Sequence, residues 1–336
     1  MKKSKYNIAI AGATGAVGQE FLKVLESRNF PVGELRLLAS SRSKGKKMKF
    51  KGKEYPVLEL KKDSFDGIDI ALFSAGGSRS KEFAPAAVKA GAVVIDNSSA
   101  FRMDNKVPLI IPEVNPEDIK NHTGIIANPN CTTIIASMAV WPIHQISRVK
   151  KMVIATYQAV SGAGAMGIEE LFEQTKEVLA GNNNPAKRVF PYQIAFNLFS
   201  HNSDIGPEGY CEEEMKVVKE TRKIFHDNNI QICPTSIRVP VFRAHAEAIH
   251  LELERPISLE EANKAFKKMP GLTVVDDRQK NHFPMPLEAS NRDDVLVGRL
   301  RKDLDDPNGL NFFVCGDQIL KGAALNAIQI AEKLIE

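Results

Sequence analysis

Three glycines that follow a short apolar run constrain the fold of this chain more than any other feature. Gly12, Gly15 and Gly18 come directly after residues 6–11, which are typical of a buried strand, and residues 19–28 have helical apolar spacing. Glycines permit a tight turn, and the helix N-terminus behind it presents backbone N–H donors to a pyrophosphate. The pattern therefore predicts dinucleotide binding, with a plain glycine-rich turn as the alternative.

The end of the second predicted strand, residues 35–39, indicates which dinucleotide binds. A chain that uses NAD places Asp or Glu here to bind the ribose 2′-hydroxyl. This chain has hydroxyl side chains and a guanidinium instead, which suit a 2′-phosphate, so we predict NADP unless Arg42 only opens the basic loop that follows. The predicted cofactor contacts in this part of the chain are Gly12, Thr14, Gly15, Ala16, Val17, Gly18, Ser40, Arg42 and Ser43.

Strand and helix patterns alternate through the first 130 residues. Residues 69–73 and 92–96 are apolar runs of strand type, and residues 80–90 between them favour a helix in spite of an internal proline. This alternation predicts an α/β domain with a Rossmann-type, doubly wound parallel sheet.

The pattern changes after about residue 130. Helices are predicted at residues 132–146, 167–180, 209–226 and 258–269, the last with a capping box of Ser258 and Glu261. Strands are predicted at 152–160, within 236–254, and at 294–302 and 311–314. We therefore expect an α+β domain with a mostly antiparallel sheet at 131–319, after a first domain at 1–130 that the C-terminal helix 320–336 completes.

Length and charge exclude several classes of protein. A chain of 336 residues agrees with two domains, and a net charge of +4 is only mildly basic. The densest basic run, residues 44–53, fits a solvated hairpin better than a nucleic-acid surface. With no signal-peptide pattern and no run near the roughly 20 apolar residues of a membrane span, we expect a soluble, cytoplasmic protein without nucleic-acid or membrane partners.

One of the four cysteines is predicted to be a nucleophile. The four have no CxxC spacing, which predicts neither a metal site nor a disulfide framework. Cys131, however, lies among polar residues at the start of a predicted helix, where a thiol's pKa is lowered and its sulfur is accessible. A base must form the thiolate, and the candidates are His122, His144, His201, His226, His245, His250 and His282.

Seven stretches resemble the aspartate-semialdehyde dehydrogenase family, in family order from about residue 6 to the end. They are GATGAVG (12–18), DNSSAFR (96–102), IPEVN (111–115), NPNCTT (128–133), TYQAVSGAG (156–164), RVPV running to His245 (238–245), and KGAA (321–324). The resemblance implies an NADP-dependent, phosphorylating aldehyde dehydrogenase that works through an acyl-enzyme thioester. Its product, aspartate 4-semialdehyde, feeds lysine (through diaminopimelate), threonine and methionine biosynthesis.

The resemblance also implies a role for each matching residue. Cys131 is the expected nucleophile, and His245 is the expected general acid and base, with a pKa near the working pH. Gln158 is expected to position the acyl intermediate. Arg238 is expected to bind the substrate α-carboxylate as a bidentate fork, and Arg102 to meet the phosphate.

Further contacts follow from the same resemblance. Glu213 is expected to contact the substrate amine and Lys216 the phosphate, and the alternative is an ordinary i, i+3 surface pair. Ser161, Gly162 and Gln318 are expected to contact the cofactor. The second domain is expected to be catalytic and to form homodimers, which sometimes pair into dimers of dimers.

Two positions depart from the family pattern. Ala244 stands where the family has glycine before the histidine, and an alanine there is strained if the backbone needs a positive φ. Gln318 lies in Gly-Asp-Gln-Ile, where Asp-Asn-Leu is common in the family.

Three other interpretations are open from the sequence. N-acetyl-γ-glutamyl-phosphate reductase shares the Rossmann fold, the cysteine and NADP, but has an NPGCY-type nucleophile stretch. Glyceraldehyde-phosphate dehydrogenase has SxxCTTN and usually uses NAD. A catalytically silent paralogue would bind NADP without turnover, and the joint presence of Cys131, Gln158, Arg238 and His245 argues against it.

Overall fold

The chain forms two compact units, each built on a seven-stranded sheet. The structure is a computed structural model, and it describes residues 3–336. One unit extends to Asn130 and includes Ala323–Glu336, and the other is Cys131–Gly322. The predicted fold class, a Rossmann-type parallel sheet with a mostly antiparallel α+β sheet, is confirmed.

Fourteen strands and eight α-helices make up the described part of the chain. The strands are β1 (Tyr6–Ala11), β2 (Val32–Ala39), β3 (Lys47–Phe50), β4 (Lys53–Glu59), β5 (Ile70–Phe73), β6 (Val93–Asp96), β7 (Ile125–Ala127), β8 (Val149–Gln158), β9 (Phe199–Ser200), β10 (Gln231–Arg238), β11 (His245–Leu253), β12 (Leu272–Val274), β13 (Val295–Lys302) and β14 (Gly309–Gly316). The helices are α1 (Ala16–Ser27), α2 (Gly77–Lys89), α3 (Cys131–His144), α4 (Ala165–Leu179), α5 (Glu212–Ile224), α6 (Leu259–Lys268), α7 (Pro286–Ala289) and α8 (Leu325–Ile335). Across residues 3–336, none of the helices combines the length and the apolar character that a bilayer span requires.

The first sheet has the order β3-β4-β2-β1-β5-β6-β7. Its strands pair in parallel except that β3 and β4 form an antiparallel hairpin. A hairpin is predicted for the basic run 44–53, and the observed one is displaced toward the C-terminus, at residues 47–59. The chain runs outward from β1 through β2 to β4 and then returns to place β5 on the other side of β1. The carboxyl ends of β1 and β5 therefore form the switch point, where open α/β sheets bind their ligands.

Gly12 lies at this switch point and has no room for a side chain. Its φ is +89°, and a Cβ would stand 2.2 Å from the carbonyl oxygen of Ser74. Because that obstacle is backbone, we expect Gly12→Ala to lower the free energy of unfolding by more than about 3 kcal/mol. Gly67→Ala is the matched control, since Gly67 has a φ of +73° but open space around it, and it should cost only about 1–2 kcal/mol. Urea unfolding measures both, and equal losses would contradict the close approach.

The second sheet has the order β12-β13-β14-β11-β8-β10-β9. Its neighbours are antiparallel except for the parallel pairs β8/β10 and β12/β13. The strand predicted within residues 236–254 is β11, whereas residues 236–238 belong to β10. The chain leaves the sheet between them because Pro240 lacks an N–H group and Ala244 has a positive φ.

Two helix ends test the sequence predictions closely. The capping box at α6 is confirmed, since Ser258 Oγ accepts the Glu261 N–H at 3.1 Å and Glu261 Oε2 accepts the Ser258 N–H at 2.7 Å. The predicted C-terminal helix begins as a π-helical turn, Leu320–Ala324, before α8. Such π turns occur frequently at functional sites.

Candidate active site

The first unit has the features of a nucleotide site at the end of β1. Gly15 is the N-cap of α1, so Ala16 and Val17 lie in the first helical turn, where backbone N–H groups lack intrahelical partners. A Cβ on Gly18 would stand 2.2 Å from the Gly12 carbonyl oxygen, so the helix approaches the turn closely. The backbone donors and the positive helix end are available to a pyrophosphate.

The predicted 2′-phosphate residues form a short turn after β2. Ser40 caps the 3₁₀ turn Ser41–Ser43, and Thr14 Oγ1 lies 3.4 Å from Ser43 Oγ, which joins this turn to the glycine turn. The Arg42 side chain is exposed. A guanidinium and hydroxyl groups are therefore presented beside the nucleotide turn with no carboxylate in the turn itself.

The Arg102 side chain holds the segment that leads to Cys131 by hydrogen bonds to backbone carbonyl oxygens. Its side chain is buried, and its Nε donates to the carbonyl oxygen of Asn128 at 2.9 Å while Nη2 donates to that of Asn97 at 2.7 Å. The guanidinium therefore has a structural task in the first unit in addition to the phosphate contact that the resemblance implies.

Three strand ends in the second unit bring the other predicted residues together. Gln158 ends β8 and Arg238 ends β10, and the two are paired in the parallel ladder. His245 begins β11, which runs antiparallel to β8 with Ala246 opposite Tyr157. Gln158, Arg238 and His245 therefore lie at one edge of the sheet.

Gln158 connects this edge to the N-terminus of α3. Its Nε2 donates to Thr132 Oγ1 at 3.1 Å and to Glu213 Oε1 at 3.2 Å. Thr132 follows Cys131, which is the first residue of α3 and is half-buried. The nucleophile candidate is therefore at a helix N-terminus, as predicted, beside the amide of Gln158.

Glu213 and Lys216 do not form an ordinary surface pair. The two join at 2.9 Å, but the Glu213 carboxylate is buried and also accepts from Gln158. The i, i+3 spacing predicts that the two side chains pair. Only the packing of α5 against the sheet determines that the Glu213 carboxylate is buried.

Arg238 keeps most of its donors available. Its Nη1 donates to the Ala159 carbonyl oxygen at 2.8 Å and its Nη2 to His201 Nε2 at 2.9 Å, while its Nε has no partner within residues 3–336. A guanidinium has five N–H donors, so three remain for a carboxylate. Burial lowers the pKa of Arg238, and the charges of Glu213 and Cys131 act in the opposite direction.

His245 is a neutral ring that can donate a hydrogen bond. It is fully buried, and its Nδ1 accepts the Ala159 N–H at 3.0 Å, so the neutral ring carries its proton on Nε2, which has no partner in the described chain. Burial lowers the pKa of His245 to about 3, and the positive charge of Arg238 adds to this effect. That value is well below the working range expected from the sequence, because the sequence does not show the burial.

His201, one of the seven histidines that the sequence left as candidate bases, lies in the site beside Arg238. Its Nε2 accepts from Arg238, and its Nδ1 lies 3.1 Å from Ser203 Oγ. Burial lowers its pKa to about 4. A neutral His201 can thus hold the guanidinium without repelling it, and no sequence pattern indicated this contact, because it depends on the pairing of β9 with β10.

The residues predicted to contact the cofactor from the second unit lie beside His245. A Cβ on Gly162 would stand 3.0 Å from Arg238 Nη1 and 3.4 Å from His245 Cε1. Gln318 bonds to Ser161 Oγ and to the Ala244 N–H. Ala244 has a φ of +70°, so the strain expected from its place in the sequence is present.

The two buried histidines predict how stability depends on pH. An unfolded histidine titrates near 6.5, whereas His201 and His245 resist protonation until about pH 4 and 3. The unfolded state therefore binds more protons below pH 6.5, and the free energy of unfolding falls as pH decreases from there toward 4. We expect His201→Asn to make this fall shallower in urea unfolding at several pH values. A slope identical to that of the unaltered protein would contradict the assignment.

Comparisons with known proteins agree with this architecture. Residues 7–122 match the family model "Semialdehyde dehydrogenase, NAD binding domain", and residues 140–321 match "Semialdehyde dehydrogenase, dimerisation domain". The chain is 56% identical to aspartate-semialdehyde dehydrogenase of Synechocystis over 99% of this chain and 98% of that protein. The structure of aspartate semialdehyde dehydrogenase II complexed with ASA from Vibrio cholerae is 45% identical, with a TM-score of 0.96 and 99% coverage of both chains. That of the Candida albicans enzyme with NADP is 25% identical, with a TM-score of 0.76 and 98% coverage of both.

The nucleotide-binding unit and the second, mixed-sheet unit together define a semialdehyde dehydrogenase. Within that class, the chain belongs to the aspartate-semialdehyde dehydrogenase family.

Proposed function

We propose that this protein catalyses the NADPH-dependent reductive dephosphorylation of L-aspartyl 4-phosphate to L-aspartate 4-semialdehyde, through a thioester on Cys131. The observation that carries the proposal is the group formed by Gln158, Arg238 and His245 at one sheet edge, with Thr132 joining it to Cys131. In a chain of this family, that group supplies a nucleophile, a carboxylate-binding cation and a hydrogen-bond donor for the oxyanion.

The first unit fits the cofactor. The turn at Gly12, which a Cβ would obstruct, and the N-terminus of α1 suit a pyrophosphate, and exposed Arg42 suits a 2′-phosphate. When bound, NADPH supplies the hydride that reduces the acyl group.

The second unit fits the substrate. Arg238 binds the α-carboxylate with the donors that Ala159 and His201 leave available, and Glu213 attracts the ammonium group. Lys216 and Arg102 are the proposed phosphate contacts. The α-carboxylate and the ammonium group of the substrate are thus both recognised by a charge of opposite sign. A neutral N-acetyl group would not pair with Glu213.

The covalent steps use Cys131 and His245. The thiolate of Cys131 attacks the acyl carbon, forms a C–S bond and releases phosphate. Gln158 holds the thioester, and the His245 Nε2–H donates to the oxygen that gains negative charge after reduction. Collapse of that adduct breaks the C–S bond, which releases the aldehyde and regenerates the thiolate.

A steady-state assay tests this function. The purified protein is given aspartate semialdehyde, phosphate and NADP, with N-acetyl-glutamate semialdehyde and NAD in parallel reactions, and NADPH or NADH formation is followed. We expect phosphate-dependent turnover with aspartate semialdehyde and NADP. Turnover confined to the acetylated substrate, or none in protein that binds NADP, would contradict the proposal.

Cofactor preference gives a separate prediction. Losing a charge-assisted contact to the 2′-phosphate costs roughly 1.5–3 kcal/mol, so Arg42→Ala should lower kcat/KM for NADP about 10- to 100-fold and leave that for NAD unchanged. Lys46→Ala, in the same exposed basic segment, is the control and should change neither. An equal loss with both cofactors would show that Arg42 does not contact the 2′-phosphate.

We further propose a homodimer formed through the second unit. The matching family model describes a dimerisation domain, and this unit exposes large apolar side chains at Leu179, Phe196, Leu198 and Ile205. Large contiguous apolar patches mark protein contacts, and we propose that these side chains contribute to one. Sedimentation velocity distinguishes a monomer, which would contradict the proposal, from a dimer or a dimer of dimers.

A further inference from the structure

The residue before His245 has a backbone conformation that its side chain disfavours. Ala244 has a φ of +70° and is fully buried. Its methyl group packs in an apolar cluster with Ala246, Ala289, Leu296 and Cys315. A residue with a Cβ remains in the left-handed region only when its surroundings hold it there. The direction in which His245 enters β11 therefore depends on whatever fixes Ala244.

One side chain holds Ala244 directly. The Oε1 of Gln318 accepts the Ala244 N–H at 2.8 Å, and its Nε2 donates to Ser161 Oγ. The Gln318 side chain is buried, so these bonds are shielded from water. Gln318 thus joins the loop before His245 to the turn that follows Ala159, the residue whose N–H fixes the His245 ring.

The side chain of Asp317, which precedes Gln318, holds the side chain of Arg243, which precedes Ala244. Asp317 is fully buried, and its Oδ2 accepts from Arg243 Nε at 2.6 Å and from the Asn291 N–H at 2.6 Å. Its Oδ1 accepts the N–H groups of Ile319 and Leu320 at 2.9 and 3.1 Å, which anchors the carboxylate itself. Two consecutive acceptors after β14 therefore bond to two consecutive residues before β11, Asp317 to the side chain of Arg243 and Gln318 to the N–H group of Ala244.

We propose that Asp317 and Gln318 form a positioning clamp that keeps Ala244 left-handed and so presents His245 Nε2 in the active site. The proposal rests on the proposed function for the role of His245 in turnover. It gives Gln318 a task that does not require the cofactor, and it explains how this chain keeps an alanine with a positive φ before His245. Gln318 acts through the backbone of Ala244 and Asp317 through the side chain of Arg243, and the proposal needs no contact of either residue with the substrate.

The clamp predicts a specific double-variant result. Gln318→Ala should lower kcat about 10- to 100-fold, as a small misplacement of a catalytic group does, and leave the Kd of NADP unchanged. Ala244→Gly removes the strain, so Gln318→Ala should cost much less in the Ala244→Gly background. Asn115→Ala is the matched control, because its buried carboxamide also bridges backbone groups, those of Ile111 and Leu109, but in the other unit. It should leave kcat unchanged.

A second measurement is independent of turnover. In protein without cofactor, ¹⁵N NMR of labelled histidine should show His245 as a single Nε2–H tautomer in the unaltered chain, an averaged signal in Gln318→Ala, and a restored signal in the double variant. Gln318→Asn, which is too short to reach both partners, gives the same comparison if Gln318→Ala does not fold.

An unchanged tautomer, or a loss of kcat that is the same in both backgrounds, would overturn the clamp. A raised Kd of NADP with unchanged kcat would identify Gln318 as a cofactor contact instead. Absence of turnover in the unaltered protein would count against the proposed function, and the NMR result would still decide the clamp.

Discussion

Cys131→Ala should lose at least about four orders of magnitude in kcat, because the proposed thioester forms on the Cys131 thiol. Cys131 stands at the first residue of α3, and Gly322 approaches it so closely that a Cβ there would lie 2.8 Å from the cysteine Cβ. An alanine therefore fits the same space with the same Cβ. The variant should fold and bind NADP as the unaltered protein does, which a fluorescence titration of NADPH measures.

Cys233→Ala is the control for Cys131→Ala. Cys233 lies on the exposed side of β10, away from the strand end that carries Arg238. Its removal should leave kcat unchanged and leave one reactive thiol at Cys131. Substantial turnover in Cys131→Ala would contradict covalent catalysis at this residue, and equal losses in both variants would point to general damage.

His245→Ala should lower kcat roughly 10²–10³-fold, the usual loss when a positioned hydrogen-bond donor to a developing oxyanion is removed. The structure adds a requirement that the sequence could not give. The ring is neutral and its proton is on Nε2, so the donor is present over the whole physiological pH range. Steady-state kinetics from pH 6 to pH 9 should therefore show a loss in His245→Ala that hardly varies with pH.

His250→Ala is the matched control, since His250 lies on the same strand but is half-buried and pairs with Asn311. It should retain its kcat. A loss in His245→Ala that grows toward low pH would show that the histidinium is the active form and that the tautomer assignment is wrong.

The sequence predicts the fold and the chemical groups well because both depend on local patterns. The glycine turn follows β1 as predicted, and α3 begins at Cys131. These features can be predicted because strand periodicity and helix starts depend on residues that are neighbours in the sequence. The positive φ of Ala244 could be anticipated from its departure from the family pattern alone.

Other properties arise only from contacts between distant segments. The hydrogen bond from the Ala159 N–H to His245 joins residues 86 positions apart. The burial that lowers the pKa of His245 likewise depends on the folded chain. Glu213 could be an exposed helix residue by spacing, and only the approach of α5 to Gln158 buries it. Ala244 and Gln318 are the two positions that depart from the family pattern, and only the structure shows that the Ala244 N–H donates to the Gln318 side chain.

The thioester on Cys131 is the central claim, and a single-turnover experiment without phosphate tests it most directly. Protein mixed with excess aspartate semialdehyde and NADP should release NADPH rapidly and then stop, since phosphate is needed to remove the acyl group. We predict one NADPH per active site, with intact mass and peptide mapping placing one aspartyl group on Cys131. A stoichiometric burst with no added mass on Cys131, or an aspartyl group on another residue, would contradict the account.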